Sequence, residues 1–185
     1  MASQKKTDTN MPDKAPTKAE RLKEFNKLVD DMKIGMLVTH TADGSLVSRA
    51  MATQERRPDV DLWFVTSTET EKVDELEANS EVNVSFLNPS TREWVSIAGT
   101  ATVNTDRNLI RQLYKPDWGI WFPKDENDKN AGGPEDRRIV LIDVDAHTVD
   151  YFKSQDSRPV SLFKVAKAFA TGKTPEFGDT QHISK

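Results

Sequence analysis

A chain of 185 residues is long enough to bury one core of its own, and its formal net charge of −4 gives no nucleic-acid footprint. It has no cysteine, which excludes disulfides, thiolate chemistry and cysteine-containing zinc sites. No apolar leader opens the chain and no apolar run approaches a membrane span, so the expectation is a cytoplasmic protein without nucleic-acid or membrane partners.

Residues 1–16 are polar, have little to bury and read as a disordered leader, with one domain expected over 17–155. Thr17-x-x-Glu20 is a capping box opening a helix on which Leu22, Phe25, Leu28 or Val29, and Met32 recur at helical spacing. Residues 36–39 form a short apolar strand, and Asp43-Gly44 is a hairpin signal joining it to a strand over 45–53. On that second strand Val47, Arg49 and Met51 share one face, while Leu46, Ser48, Ala50 and Ala52 share the other. Arg49 is thus flanked by apolar side chains. A barrel-end or edge position would explain it, and an anion to hold would explain it better.

A charged turn with Pro58 leads to residues 61–76, the most informative stretch. Leu62 to Val65 reads as a buried strand, Thr66, Ser67, Thr68 and Thr70 as a hydroxyl-rich corner, and Val73 and Leu76 as one face of a short helix. Thr68-x-x-Glu71 matches a capping box, which places the helix start at Thr68 and Lys72 in the first turn. A lysine beside free backbone N–H groups and hydroxyls suits a phosphate, and an ordinary strand–turn–helix with a solvated lysine is the alternative.

Further strands are expected over 82–87 and 94–103, the latter with Gly99 marking a bulge or close backbone approach. Asp106 caps a helix carrying Leu109, Ile110, Leu113 and Tyr114 and ended by Pro116. An aromatic cluster of Trp118, Trp121 and Phe122 follows, then a long polar surface loop over 124–138. Two last strands, 139–144 and 148–152, precede a C-terminal segment, 156–185, read as an amphipathic helix over 160–170 and a polar tail. Connections long enough for parallel crossovers are too few, so the expected fold is mainly β with peripheral helices, an antiparallel β-barrel.

Gly172-Lys173-Thr174 lacks the upstream glycine of a P-loop, and His40, His147 and His182 show no metal-ligand spacing, so no metal is expected. Two features remain. Arg49 and the Thr66/Ser67/Lys72 corner could jointly neutralise a phosphate. Trp63, Phe64, Trp94, Trp118, Trp121 and Phe122 could wall a planar ring or form an oligomer contact.

The helix before Met36-Leu37-Val38-Thr39, the strand Ser48-Arg49-Ala50-Met51, and the run Leu62-Trp63-Phe64-Val65-Thr66-Ser67 followed by Lys72 come in a telling order. After them stand Trp94-Val95-Ser96-Ile97-Ala98-Gly99-Thr100-Ala101, Tyr114-Lys115-Pro116, Trp121-Phe122-Pro123 and Tyr151-Phe152. Together they resemble the general stress protein 26 branch of the pyridoxamine 5′-phosphate oxidase-like superfamily. That resemblance implies an FMN-binding split β-barrel and a homodimer with FMN in clefts between the subunits. Position by position, it gives the phosphate to Arg49 and Lys72 with Ser67 or Thr66 assisting. It runs Phe64, Val65 and Thr66 along the isoalloxazine, takes backbone contacts from Ala50 and Met51, and brings Trp121 from the second subunit.

Tyr114 and Phe152 stand where the family often has tryptophan, and the C-terminal arginine–histidine pattern of true pyridoxamine-phosphate oxidases is missing. The implied function is a flavin-dependent oxidoreductase acting on an unknown small molecule, with no catalytic residue assigned. The alternatives are a non-catalytic stress protein that stores or senses FMN, and a split-barrel dimer whose cleft holds a different ligand, such as heme or F420, or nothing. Flavin chemistry needs little from side chains, because the cofactor carries the redox step.

Overall fold

Residues 16–124, 128–154 and 178–184 are described by the structure, a computed structural model. Helix α1 (Lys18–Met32) begins at the expected capping box, where Glu20 N–H donates to the Thr17 hydroxyl and the Glu20 carboxylate accepts from the Thr17 N–H. Strands β1 (Ile34–His40) and β2 (Leu46–Ala52) form the expected hairpin, and its turn needs Gly44 at φ +83°. Strand β3 (Leu62–Ser67) leads into helix α2 (Glu71–Ala78), followed by β4 (Glu81–Leu87) and β5 (Trp94–Asn104). Helix α3 (Arg107–Leu113) is capped by Asp106, as its sequence implies, and a short 3₁₀ helix (Pro116–Ile120) carries the aromatic cluster. Strand β6 (Ile139–Ser154) and strand β7 (Gly178–Ser184) complete the described elements.

All pairings are antiparallel, in the order β2-β1-β4-β5-β6-β3. β6 spans 16 residues, so one of its edges holds β3 along its first part and β7 along its second. The sheet curls without closing. Its end strands β2 and β3 do not pair with each other; the chain just beyond β2 reaches β3 through hydrogen bonds from Gln54 N–H to the Trp63 carbonyl, 3.3 Å, and from the Trp63 indole N–H to the Glu55 carbonyl, 2.6 Å. This is the mainly β, split-barrel architecture with helices at the periphery that the sequence led us to expect.

Leu37, Phe64, Val84, Val95, Ile97, Ile142, Val144 and Tyr151 fill the barrel, with Phe25, Leu28 and Val29 of α1 and Leu76 of α2 packed on them. A second core lies on the other face of β3 and β6, where Trp63, Ile139 and Leu141 meet Ile110, Trp118 and Phe122. β3 and the start of β6 are therefore apolar on both faces, which is why their sequences lack strict alternation. Tyr151 donates its hydroxyl proton to Glu24 (3.0 Å), and burial with that carboxylate pushes its pKa well up.

Three local expectations are corrected. The two last strands are one, because the register shifts between Ala98 and Gly99 and the extra residue, His147, is absorbed opposite them. Gly99 lies so close to Asp145 that an added Cβ would fall 2.0 Å from its carbonyl oxygen. Helix α2 starts at Glu71 with Thr70 as its cap residue, not at Thr68, whose N–H is held by the Arg138 carbonyl at 2.8 Å. Residues 178–184, expected as polar tail, form an edge strand that buries only Ile183. The expected leader, all but its last residue Pro16, and the 160–170 helix lie outside the described residues. No described helix is long and apolar enough to cross a membrane.

Candidate functional site

The gap between β2 and β3 is a cleft of about 360 Å³. Ala50, Met51 and Ala52 of β2 form one side, Val65, Thr66 and Ser67 of β3 the other. Thr70 and Lys72 stand at one end, Trp118, Trp121 and Phe122 at the other. One end is therefore cationic and hydroxylic, the other aromatic.

Local hydrogen bonds build the polar end. Thr70 turns its hydroxyl proton to the Ser67 carbonyl (2.7 Å), and Glu69 N–H donates to the Ser67 hydroxyl (3.1 Å), which folds the corner tightly before α2. Thr66 and Thr70 hydroxyls lie 3.3 Å apart, and the Lys72 ammonium donates to Thr66 Oγ1 at 3.1 Å. Lys72 is only 9% exposed, and no described carboxylate lies within ion-pair range of it. Burial first, then the positive charge of Arg49, draws its pKa below the ordinary lysine value, with Glu75 partly opposing.

At the aromatic end Trp118 is buried and meets Trp63 and Tyr114 edge-on, at ring-centroid distances of 6.1 and 5.7 Å. Its indole N–H donates to Gln54 Oε1 (3.3 Å), tying the 3₁₀ helix to the chain just beyond β2. Trp121 is 81% exposed at the rim. Among the described residues no group of three or more His, Asp or Glu could hold a metal ion.

Residues 20–176 match the family model of pyridoxamine 5′-phosphate oxidase-like proteins. Protein bli-3 of Neurospora crassa is 33% identical over 168 residues, which span 90% of this chain and 80% of that protein. The chain belongs to the pyridoxamine 5′-phosphate oxidase-like family. Its fold is shared by a protein related to general stress protein 26 from Clostridium acetobutylicum, 23% identical with a TM-score of 0.62 over 74% of this chain and 91% of that one. It is shared too by a pyridoxamine 5′-phosphate oxidase-related, FMN-binding protein of Nostoc punctiforme, 15% identical with a TM-score of 0.57 over 94% and 99% of the two chains. At those identities the likeness is one of fold.

In this family member the cleft brings together Ala50, Met51, Val65, Thr66, Ser67, Lys72 and Trp121 of the expected set. Two expected residues stand apart. Phe64 is fully buried in the barrel, so only its backbone could face the cleft. Arg49 points to α2, donating from Nη1 and Nη2 to the two oxygens of Glu75 at 2.7 and 2.8 Å. Trp121 lines the cleft of its own chain, where the resemblance brought it from a second one.

Sequence reading did not single out Ala52, Gln54, Asp117 or Glu75, and it had Thr70 only as part of the hydroxyl corner. Ala52 continues the face of Ala50, so strand parity could have found it. Gln54 and Glu75 gave no signal, because their partners are set by contacts between distant elements.

Proposed function

We propose that the cleft binds FMN, with the phosphate at the Lys72 end and the ring between β2 and β3. The observation that carries this reading is Lys72: a buried ammonium whose hydrogen bond goes to a hydroxyl, at the end of a cleft with an aromatic wall opposite. Buried ammonium groups are costly unless an anion meets them. Thr66, Ser67 and the start of α2 add hydroxyl and N–H donors suited to phosphate oxygens. Ala50 and Met51 would offer backbone to the ring edge, Val65 an apolar face, and Trp121 a stacking surface at the rim. The FMN-binding protein among its fold relatives supports the same ligand.

Bound FMN would supply electron or hydride transfer, and the chain's own residues would hold it, exclude water and leave one side open to a small molecule beneath Trp121. On this reading the protein is a flavin-dependent oxidoreductase acting on a small molecule, working as a homodimer. Support for the dimer comes from the apolar residues Ile34, Met36, Leu46 and Leu87, all exposed on β1, β2 and β4.

Titration with FMN should quench flavin fluorescence on binding. Lys72→Ala is expected to weaken FMN about 10- to 100-fold, as loss of a charge-assisted contact does, and to change riboflavin less than about threefold. Unaltered FMN fluorescence at saturating protein would defeat the cofactor assignment, and equal losses for both ligands would defeat the role of Lys72. Reduced nicotinamide oxidation by the FMN-loaded protein then separates enzyme from store or sensor.

A further inference from the structure

Lys72 and Asp117 are the two charged residues that line the cleft among those described, and they belong to its opposite ends. Lys72 has a use in the flavin reading. Asp117 has none, because FMN carries no positive charge for a carboxylate to meet.

The 3₁₀ helix (Pro116–Ile120) fixes Asp117 at the aromatic end, with Trp118 inside it and Trp121 as its C-terminal cap residue. Trp118 N–H donates to the Lys115 carbonyl (3.0 Å) and Trp121 N–H to the Trp118 carbonyl (2.9 Å), so the three side chains are held on one tight turn. No ion pair with a described residue engages the Asp117 carboxylate. The adjacent lysine, Lys115, turns instead to Glu55 at 2.9 Å.

An exposed carboxylate alone holds a cation weakly, since water screens it. Here its surroundings strengthen the attraction. Trp118 and Phe122 are buried, at 4% and 3% exposure, and give the cleft an apolar wall beside the charge. Trp121 offers indole surface at the rim, and an indole attracts organic cations through its ring electrons. The same carboxylate repels anions, so a second phosphorylated ligand is disfavoured at this end.

We propose that the aromatic end of the cleft selects small organic cations that carry no phosphate, such as a protonated amine or an N-alkylated heteroaromatic ring. The apolar part of the ligand packs under Trp121 and its charge meets Asp117, which is the specificity-determining residue. This inference rests on the FMN reading of the cleft and deepens it by naming the class of the small molecule.

Pairs of ligands that differ in charge test it on the FMN-loaded protein: 1-methylnicotinamide against nicotinamide, and benzylammonium against benzyl alcohol. By calorimetry each cation should bind about three- to tenfold more tightly than its neutral counterpart at low salt. The preference should shrink at about 0.5 M salt. Asp117→Asn keeps the shape and should bring each ratio to within about twofold of one, by weakening the cations alone. Trp121→Leu should weaken both cations at least threefold, roughly the loss of one cation–ring contact.

Ratios that Asp117→Asn leaves unchanged would overturn the inference, as would a wild type that binds cation and neutral counterpart alike. Cations held at wild-type strength by Trp121→Leu would move the site off the rim and overturn it too. If Asp117→Asn loses FMN in the same measure as the cations, its carboxylate serves the flavin and the inference falls. If the wild type binds no flavin, the cofactor reading falls by itself, and the same pairs titrated against the flavin-free chain decide this one. A preference for the cations that Asp117→Asn removes sustains it there, and equal binding or none refutes it.

Discussion

Lys72 reaches the cleft from the second residue of α2, and burial beside Arg49 holds its pKa below that of a free lysine. A folded pKa below the unfolded value means that the charged form costs stability, and that a bound anion recovers it. FMN affinity should therefore be full below the lowered pKa and fall as pH rises through it, while riboflavin, with the same ring, should not follow. The ratio of the two dissociation constants, measured between about pH 7 and pH 10, is expected to shrink at the alkaline end, earlier than an ordinary lysine near 10.4 would allow. A ratio that stays flat would remove Lys72 from the phosphate. Much of this end was legible from residue types alone, since a lysine after four hydroxyl residues has few uses. Arg49 was legible as a charge on an apolar face that wanted an anion. What supplied the anion was not, because Glu75 lies 26 residues away on another element, and strand parity and helix spacing carry no information about contacts between elements.

Among the elements, the polar segment before β6 departs furthest from its sequence. It reads as a long surface loop, yet its described part is pinned by Asp136, a fully buried carboxylate. Asp136 accepts from Gly132 N–H (2.7 Å), Arg138 N–H (2.9 Å), and Arg138 Nε and Nη2 (3.1 and 2.7 Å). Burial alone would raise its pKa, but the Arg138 side chain and the two backbone N–H groups outweigh it, and the pKa falls to about 2. The Asp136 contribution is therefore present above the unfolded value near 3.9 and is lost as pH falls toward 2, roughly 2 kcal/mol in all. The same knot holds the aromatic wall of the cleft. Arg138 Nη2 donates to the Pro123 carbonyl (3.0 Å), and the Tyr114 hydroxyl donates to the Gly132 carbonyl (2.6 Å). Asp136→Asn should cost roughly 2 kcal/mol in urea unfolding at pH 7 and remove the Asp136 share of the stability lost between about pH 4 and 2. Wild-type stability in the variant would mean that the loop is held by something else. Elements with strong local signals, such as the capping box of α1 and the Asp-Gly hairpin, were readable. The loop knot and β7 were not, since one buried aspartate and one buried isoleucine, Ile183, leave a composition that looks like solvent-exposed chain.

For the whole molecule, the decisive asymmetry is the outer face of β2, β1 and β4. Register places Ile34 opposite Ala52, Met36 opposite Ala50 and Ser85, and His40 opposite Leu46, so these side chains share one surface with Leu87. Ile34, Met36, Leu46 and Leu87 are all exposed there, at 40–66% of their full accessibility. The face runs directly into the cleft, because Ala50 and Ala52 belong to both. A second copy seated on it would bury the apolar strip and bring its own residues against the open side of the ligand, which links assembly to binding. Met36→Glu puts a charge at the middle strand of the face without touching the barrel core. It is expected to convert the proposed dimer to monomer in sedimentation, and FMN affinity should fall at least tenfold in the same sample, recovering as protein concentration drives reassociation. Monomers that bind FMN as tightly as the wild type would mean that one chain completes the cleft. A dimer that survives the substitution would place the interface elsewhere.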